Sequence, residues 1–289
     1  MDEIKLTNSQ RDFLTSKALY PAFVGGRGAG KSFMMAYKCV LTVMKYNVDA
    51  WLCSPTEDQA KRVMMKNVDM ILRKLGVKFS KTKVPPNINI HNGPNIRFVT
   101  LKNPDVLVGA EIGFIGFDEF DTVDMATAEE AWGKAGACLR QKCDVPGFIH
   151  QACVSTTPEG FVFVHKMWEK MANDSRTDLL KQMEAEKIDA KLNSAMRGYV
   201  NSTVALRRFG MMEEKDRSFH ENESAICKKY IDSVKIPDYL SLKLRMALTG
   251  MSQYQLYRSP TEENLANLPD GYLEKLEEIE KQSDKETKK

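Results

Sequence analysis

The residues Gly25-Gly26-Arg27-Gly28-Ala29-Gly30-Lys31-Ser32 fit the pattern G-x-x-x-x-G-K-[ST] at every fixed position. Backbone N–H groups of such a loop point inward and cradle phosphate oxygens, with the positive end of the next helix behind them. In that chemistry Lys31 reaches the β- and γ-phosphates of a nucleotide, and the Ser32 hydroxyl ligates Mg²⁺. The competing reading is a glycine-rich turn that only caps a helix. Two further polar clusters carry chemistry. Asp118-Glu119 closes the apolar run "IGFIGFDEF". The first acid suits a Mg²⁺ site, directly or through water, and the second can orient and deprotonate a water attacking the γ-phosphate. Alone, the pair could equally start a helix, where acids favour the positive dipole end. Ser155-Thr156-Thr157-Pro158 places hydroxyls where a γ-phosphate could be sensed, although a capped loop would use the same residues.

What must position these groups is a sheet. "YPAFVGG" reads as a short buried strand and "KSFMMAYKCVLTVMKY" as an apolar helix, the setting that a phosphate-binding loop requires. "DAWLCSP" is a second strand, and the following helix has Val63, Met64, Val68, Ile71, Leu72 and Leu75 at helical spacing, stopped by Gly76. "NINIHNGPNIRFVTL" predicts a hairpin around Asn92-Gly93. Asp121 and Asp124 belong to the N-cap region of a helix through "ATAEEAWGKAGACLRQ", with Asp124 the favoured cap. "GFIHQACVSTTP" is another buried strand. This alternation, up to about Trp168, predicts an α/β fold with a mostly parallel sheet flanked by helices. All three polar clusters end strands, so they should meet at one edge.

Bulk properties narrow the field. A net charge of +3 excludes a chain that coats nucleic acid by charge alone, yet leaves room for a local basic face. No apolar run approaches the ~18 residues of a membrane span, so no membrane partner is expected. The six cysteines contain no C-x-x-C pair, and most lie in apolar stretches, as reduced cytosolic thiols do.

Taken together, these motifs resemble the ATPase half of the tailed-bacteriophage terminase large subunits, motors that pump DNA into a procapsid. "LTNSQRDFLTSKALYPAFVGGRGAGKS" looks like the opening of that family, "LCSPTEDQAKRVM" like its second strand and helix, and "NIRFVTLKNPDVLVGAEIGFIGFDEFD" like its approach to the acid pair, the Walker B segment. "STTPEGF" is similar to its coupling motif, and "YQLYRSPTEENLANLPDGYLEKLEEI" to the segment that closes the ATPase domain. The resemblance implies a P-loop NTPase core of the ASCE/RecA-like type with ATP and Mg²⁺ as cofactors. It implies Gln10 as the adenine contact and Arg27 as a cation within the loop. The implied partners are double-stranded DNA, a portal protein, a small terminase subunit and further copies in a homo-oligomeric ring on the portal. The implied place is the cytoplasm of an infected bacterial host, transiently on the procapsid.

Two departures from the family pattern stand out. The chain ends in "EKQSDKETKK" with no strand-rich region of spaced acids after the ATPase part, so the family's nuclease is expected to be absent, through truncation or a separate gene. The expected division is a core over 1–172, a helical lid or linker over 173–280 and a charged tail over 281–289. Val108 stands where many members carry an arginine proposed to act in trans. Arg140, at the end of the helix after the acid pair, is the substitute of choice and Arg97 a weaker one; Arg140 could equally serve only the helix C-terminus. Arg207, Arg208, Lys228 and Lys229 can contact DNA phosphates or simply be solvated. Two other functions remain at this stage: a helicase-like ATPase acting on nucleic acid, or a DNA-docking assembly protein with a relic nucleotide pocket.

Overall fold

The computed structural model of the chain describes residues 5–158, 162–170, 190–206, 214–234 and 254–268, with residues 179, 181, 183 and 272. Helix α1 (Asn8–Thr15) opens with a capping box, in which the Thr7 and Gln10 side chains each accept the other's backbone N–H. Strand β1 (Tyr20–Gly25) then runs into the glycine loop, and α2 (Lys31–Tyr46) begins at the lysine. Gly28 and Gly30 adopt φ of 81° and 78°, a left-handed backbone open to glycine at little cost.

After β2 (Ala50–Ser54), α3 (Glu57–Gln59), a π-helical turn (Ala60–Met65) and α4 (Lys66–Lys74) follow one another. Met64, Val68, Ile71 and Leu72 are buried as expected, but Val63 and Leu75 are 37% and 49% exposed. The i→i+5 bonding of the π turn shifts the phase of the helix, and Leu75 falls at the C-cap. The hairpin around Asn92 forms between β4 (Pro86–Ile90) and β5 (Asn95–Thr100). Beyond it lies β3 (Phe79–Lys83), an exposed edge strand that the sequence reading did not identify.

Strands β6 (Phe114–Asp118) and β7 (Gln151–Thr156) are buried at every residue, as strands covered on both faces are. Between them in sequence, α5 (Met125–Cys138) is capped by Asp124, whose carboxylate accepts the Thr127 N–H at 3.0 Å. Asp121 is not a cap. It is buried, and its carboxylate accepts the Val164 N–H at 3.0 Å.

Helices α6 (Ala190–Leu206) and α7 (Glu214–Ser233) pack around Leu192, Met196, Val200 and Ile231. The span expected to be a helical lid also contains a strand: β8 (Tyr254–Ser259) pairs in parallel with β1 over six positions. Tyr254 and Leu256 in "YQLYRS" pack on one face of the sheet and Tyr257 on the other, a strand's period of two carried by too few residues to stand out from the surrounding helical sequence. Arg207, Arg208 and the tail over 281–289 lie outside the described residues.

The sheet order is β3-β4-β5-β2-β6-β7-β1-β8, with the pairs β3–β4 and β4–β5 antiparallel at one edge and the other neighbours parallel. Thus β7 separates the loop-bearing strand from the acid-bearing one, the ASCE arrangement of a P-loop NTPase fold. One face packs α1, α2 and α4 over Phe23, Leu52 and Phe114. The other packs α5 and a group of rings, among them Phe117, Phe120, Trp132 and Phe163. Burial pushes the Cys153 thiol up to about 12, which leaves it an inert core group.

Candidate nucleotide site

The glycine loop is held from behind through its carbonyls. Thr261 Oγ1 donates to the Arg27 carbonyl at 2.8 Å, Asn264 Nδ2 to that of Gly28 at 2.6 Å, and Gln10 Nε2 to that of Ala29 at 3.1 Å. Met34 N–H takes the Gly30 carbonyl at 2.9 Å, and Lys31 Nζ lies 3.0 Å from that of Gly26. Anchoring the carbonyls outward turns the N–H side of the loop toward the cavity, as anion binding requires. A Cβ on Gly25 would stand 2.3 Å from the Ser259 carbonyl oxygen, and one on Gly26 2.4 Å from Thr261 Oγ1. Only glycine lets the loop sit this close to the segment after β8.

The strand ends bring the acids to the same place. Lys31 Nζ is 3.7 Å from Glu119 Oε1, across the floor of a cavity of about 870 Å³. Asp118 pairs in register with Ser155, whose hydroxyl donates to it at 2.7 Å, and the Ser32 hydroxyl hydrogen-bonds it too. Burial pushes the Asp118 carboxyl up to about 6; the neighbouring charge of Glu119 adds to this, while the two serine hydroxyls and Lys31 oppose it. Ser54 ends β2 one residue beyond the Cys53–Phe117 pair, level with Asp118 and on the same side of the sheet. Its hydroxyl is fully buried and has no hydrogen-bond partner among the described residues. An oxygen-only set of Ser32, Asp118 and phosphate, with an orphaned hydroxyl beside it, fits a hard cation such as Mg²⁺.

Glu119 sits in the left-handed region at φ 49°, ψ 46°, which costs a non-glycine residue on the order of 1–3 kcal/mol. Its carboxylate accepts the Thr157 N–H at 3.1 Å and the Thr157 hydroxyl at 3.2 Å. The three coupling-motif hydroxyls therefore have three different partners: Ser155 binds Asp118, Thr156 Oγ1 accepts the Asp121 N–H at 3.1 Å, and Thr157 holds Glu119. Of the three, Thr157 is the one that lines the cavity.

The structure brings together Gln10, the loop from Gly25 to Ser32, Asp118, Glu119 and Thr157. Arg27 is exposed at the cavity rim. Arg140 is elsewhere: Cys138 and Gln141 bond Ile112, at the entry of β6, whereas Glu119 follows its exit. Arg97 stacks on the Trp51 ring at 4.8 Å. Sequence reasoning missed Thr261 and Asn264 as loop anchors, and Leu268 and Tyr272 as cavity walls against Gly28. Their separation from the loop by more than two hundred residues leaves no local signal.

Fold and loop define the chain as a P-loop NTPase of α/β architecture. Residues 22–281 match the family model described as terminase large subunit, T4likevirus-type, N-terminal, and the chain belongs to that family. No curated protein sequence matches it. Among solved structures it is similar to the large terminase of a thermophilic bacteriophage, at 16% identity and a TM-score of 0.49 over 59% of this chain and 44% of that one. It is also similar to the Thermus phage P74-26 large terminase ATPase domain, at 17% identity and a TM-score of 0.45, over 57% of this chain and 69% of that one. The bacteriophage HK97 large terminase matches at 14% identity and a TM-score of 0.44, over 61% of this chain and 38% of its own. The matched region thus spans less than half of the thermophilic-phage and HK97 large terminases. Among the described residues no helix is long and apolar enough to cross a membrane.

Proposed function

We propose that this chain is the ATPase of a viral DNA-packaging motor, hydrolysing ATP to drive double-stranded DNA into a procapsid. The observation that carries the reading is the meeting of the loop lysine, Glu119 and Thr157 around one cavity, with Lys31 and Glu119 3.7 Å apart and Asp118 buried behind Glu119. The loop N–H groups and Lys31 bind the phosphates, and Gln10 borders the end of the cavity where the base would lie. Ser32 and Asp118 would hold Mg²⁺, and the ion would supply positive charge beside the transferring phosphoryl group. Glu119, oriented by Thr157, accepts the proton of the water that attacks the γ-phosphorus, and the bond to the ADP oxygen breaks. Arg27 supplies a cation at the rim. The working assembly is a homo-oligomeric ring on a portal protein, fed with DNA by a small terminase subunit, in the cytoplasm of the infected host. These 289 residues should not nick plasmid DNA in Mg²⁺ or Mn²⁺.

Mg²⁺-dependent ATP hydrolysis, stimulated by DNA and a portal ring, is the measurement that tests the reading. Lys31→Ala should weaken nucleotide binding, whereas Glu119→Gln should retain ATP without turning it over. Native-rate hydrolysis by Glu119→Gln would remove that residue from the chemistry.

A further inference from the structure

Residues 61–83 hold eight lysines and arginines and a single acid, Asp69, so this stretch alone carries +7 in a chain whose total is +3. Lys61 and Arg62 pair with Glu57 and Asp58 just upstream, and Lys74 lines the nucleotide cavity, but Lys66, Arg73, Lys81 and Lys83 gather in two rows. Lys66, Asp69 and Arg73 follow one another at helical spacing on one side of α4. Phe79, Lys81 and Lys83 alternate onto one side of the edge strand β3. Asp69 joins the two rows, with Arg73 Nε at 3.0 Å and Lys81 Nζ at 2.9 Å from its carboxylate. The Arg73 guanidinium also lies over the Phe79 ring, 5.5 Å from its centre. Helix and strand therefore present one continuous basic surface at the antiparallel edge of the sheet.

Lysines on an edge strand guard against pairing with other chains, but that purpose does not extend to Lys66 and Arg73 on the helix. A surface of this composition is matched by a dense line of anionic groups. We infer that the α4–β3 face is the surface on which this domain engages the phosphate backbone of duplex DNA. The choice of duplex rests on the packaging reading above; the anionic-polymer chemistry rests on the surface itself. From Lys66 to Arg73 the helix covers about 10 Å, and each DNA strand offers one phosphate per ~3.4 Å of axis, so several phosphates fall within reach. Such contacts read no base sequence, as a motor that moves along any DNA requires.

The test is nucleotide-free binding to a fluorescent random-sequence duplex across a salt series. In Lys66→Ala/Lys81→Ala/Lys83→Ala the slope of log K against log salt should flatten by about 2–3, at roughly 0.9 per lost contact, with affinity at low salt falling more than about tenfold. The three arginine replacements should restore binding. Lys228→Ala/Lys229→Ala, on the exposed face of α7, should leave slope and affinity unchanged. None of the three lysines lines the nucleotide cavity, so ATP hydrolysis without DNA should persist in the triple variant. Native binding by the triple variant, an equal loss in the α7 pair, or tighter binding of single-stranded RNA than of duplex DNA would each overturn the assignment. A wild-type protein that hydrolyses ATP yet binds no duplex would sink the surface and spare the ATPase reading. Salt-dependent duplex binding without hydrolysis would do the reverse.

Discussion

Asp118 must carry charge to hold a cation, yet it lies where charge is least solvated. Burial, with the nearby Glu119, raises its carboxyl from 3.8 to about 6 despite hydrogen bonds from Ser155 and Ser32. Between those values the folded chain keeps a proton that the unfolded chain has lost. Its contribution to stability therefore becomes less favourable as pH rises from about 4 to about 6, and stays so above. A cation favours the ionised form and relieves that cost. Binding of Mg²⁺-nucleotide near pH 6 should thus release part of a proton, read by calorimetry in buffers of different ionisation enthalpy. Hydrolysis should decline as pH falls below about 6, and Asp118→Asn should flatten the dependence of apo Tm on pH between about 4 and 6. Absence of proton release, with the same Tm profile in Asp118→Asn, would mean that this carboxyl is not the titrating group. Asp118 and Glu119 were legible in the sequence because an apolar strand ending in two acids is a local pattern. Ser54 was not, since a lone serine after a strand has no distinguishing neighbours until the register sets it level with Asp118.

At the scale of elements, the phosphate loop takes its shape from the segment that follows β8. The 3₁₀ turn Thr261–Asn267 contributes Thr261 and Asn264 to the carbonyls of Arg27 and Gly28, and Asn264 also accepts from Gln10 at 3.1 Å. Thr261→Val keeps the side-chain shape and removes one hydrogen bond from a partly buried carbonyl. A loss of about 1 kcal/mol in loop order corresponds to a nucleotide Kd about five times higher. The rate at saturating ATP should be unchanged, because Thr261 touches none of the reacting groups, and Thr261→Ser should restore the affinity. If Thr261→Val binds a fluorescent nucleotide as the native protein does, the loop holds its shape without this anchor. The strand-loop-helix unit itself was readable, since its glycines and apolar flanks are contiguous. The mate of β1 was not: β8 lies more than two hundred residues downstream, and its six residues compete with helical sequence on either side.

For the whole molecule, the question is which cation reaches the transition state from outside. Arg140 lies beside the entry of β6, a five-residue strand of about 17 Å, and Glu119 follows its exit, so action within one chain is ruled out by distance. Its exposed position is compatible with a role across a subunit boundary, and equally with one confined to the helix C-terminus. Arg140→Ala subunits keep a sound cavity and Lys31→Ala subunits keep Arg140. If the arginine works in trans, mixing the two inactive proteins under ring-forming conditions should restore part of the hydrolysis. A mixture that stays inactive while the wild-type ring turns over would assign the cation elsewhere, with Arg27 at the cavity rim the next to substitute.

The sequence by itself determined the phosphate loop, the acid pair and the hydroxyls of Ser155, Thr156 and Thr157 at their strand ends, and the parallel α/β plan. Each is written in contiguous residues whose period or backbone freedom has one physical meaning. Tertiary structure decided what depends on register and on closure across the chain. It separated those three hydroxyls onto Asp118, Asp121 and Glu119, and it brought Thr261 and Asn264 behind the loop. It also put Arg140 at the far end of β6 and merged the charges of α4 and β3 into one face. A hydrogen bond between residues hundreds of positions apart leaves no periodicity in the chain, because only the pairing of strands in the sheet sets the distance between them.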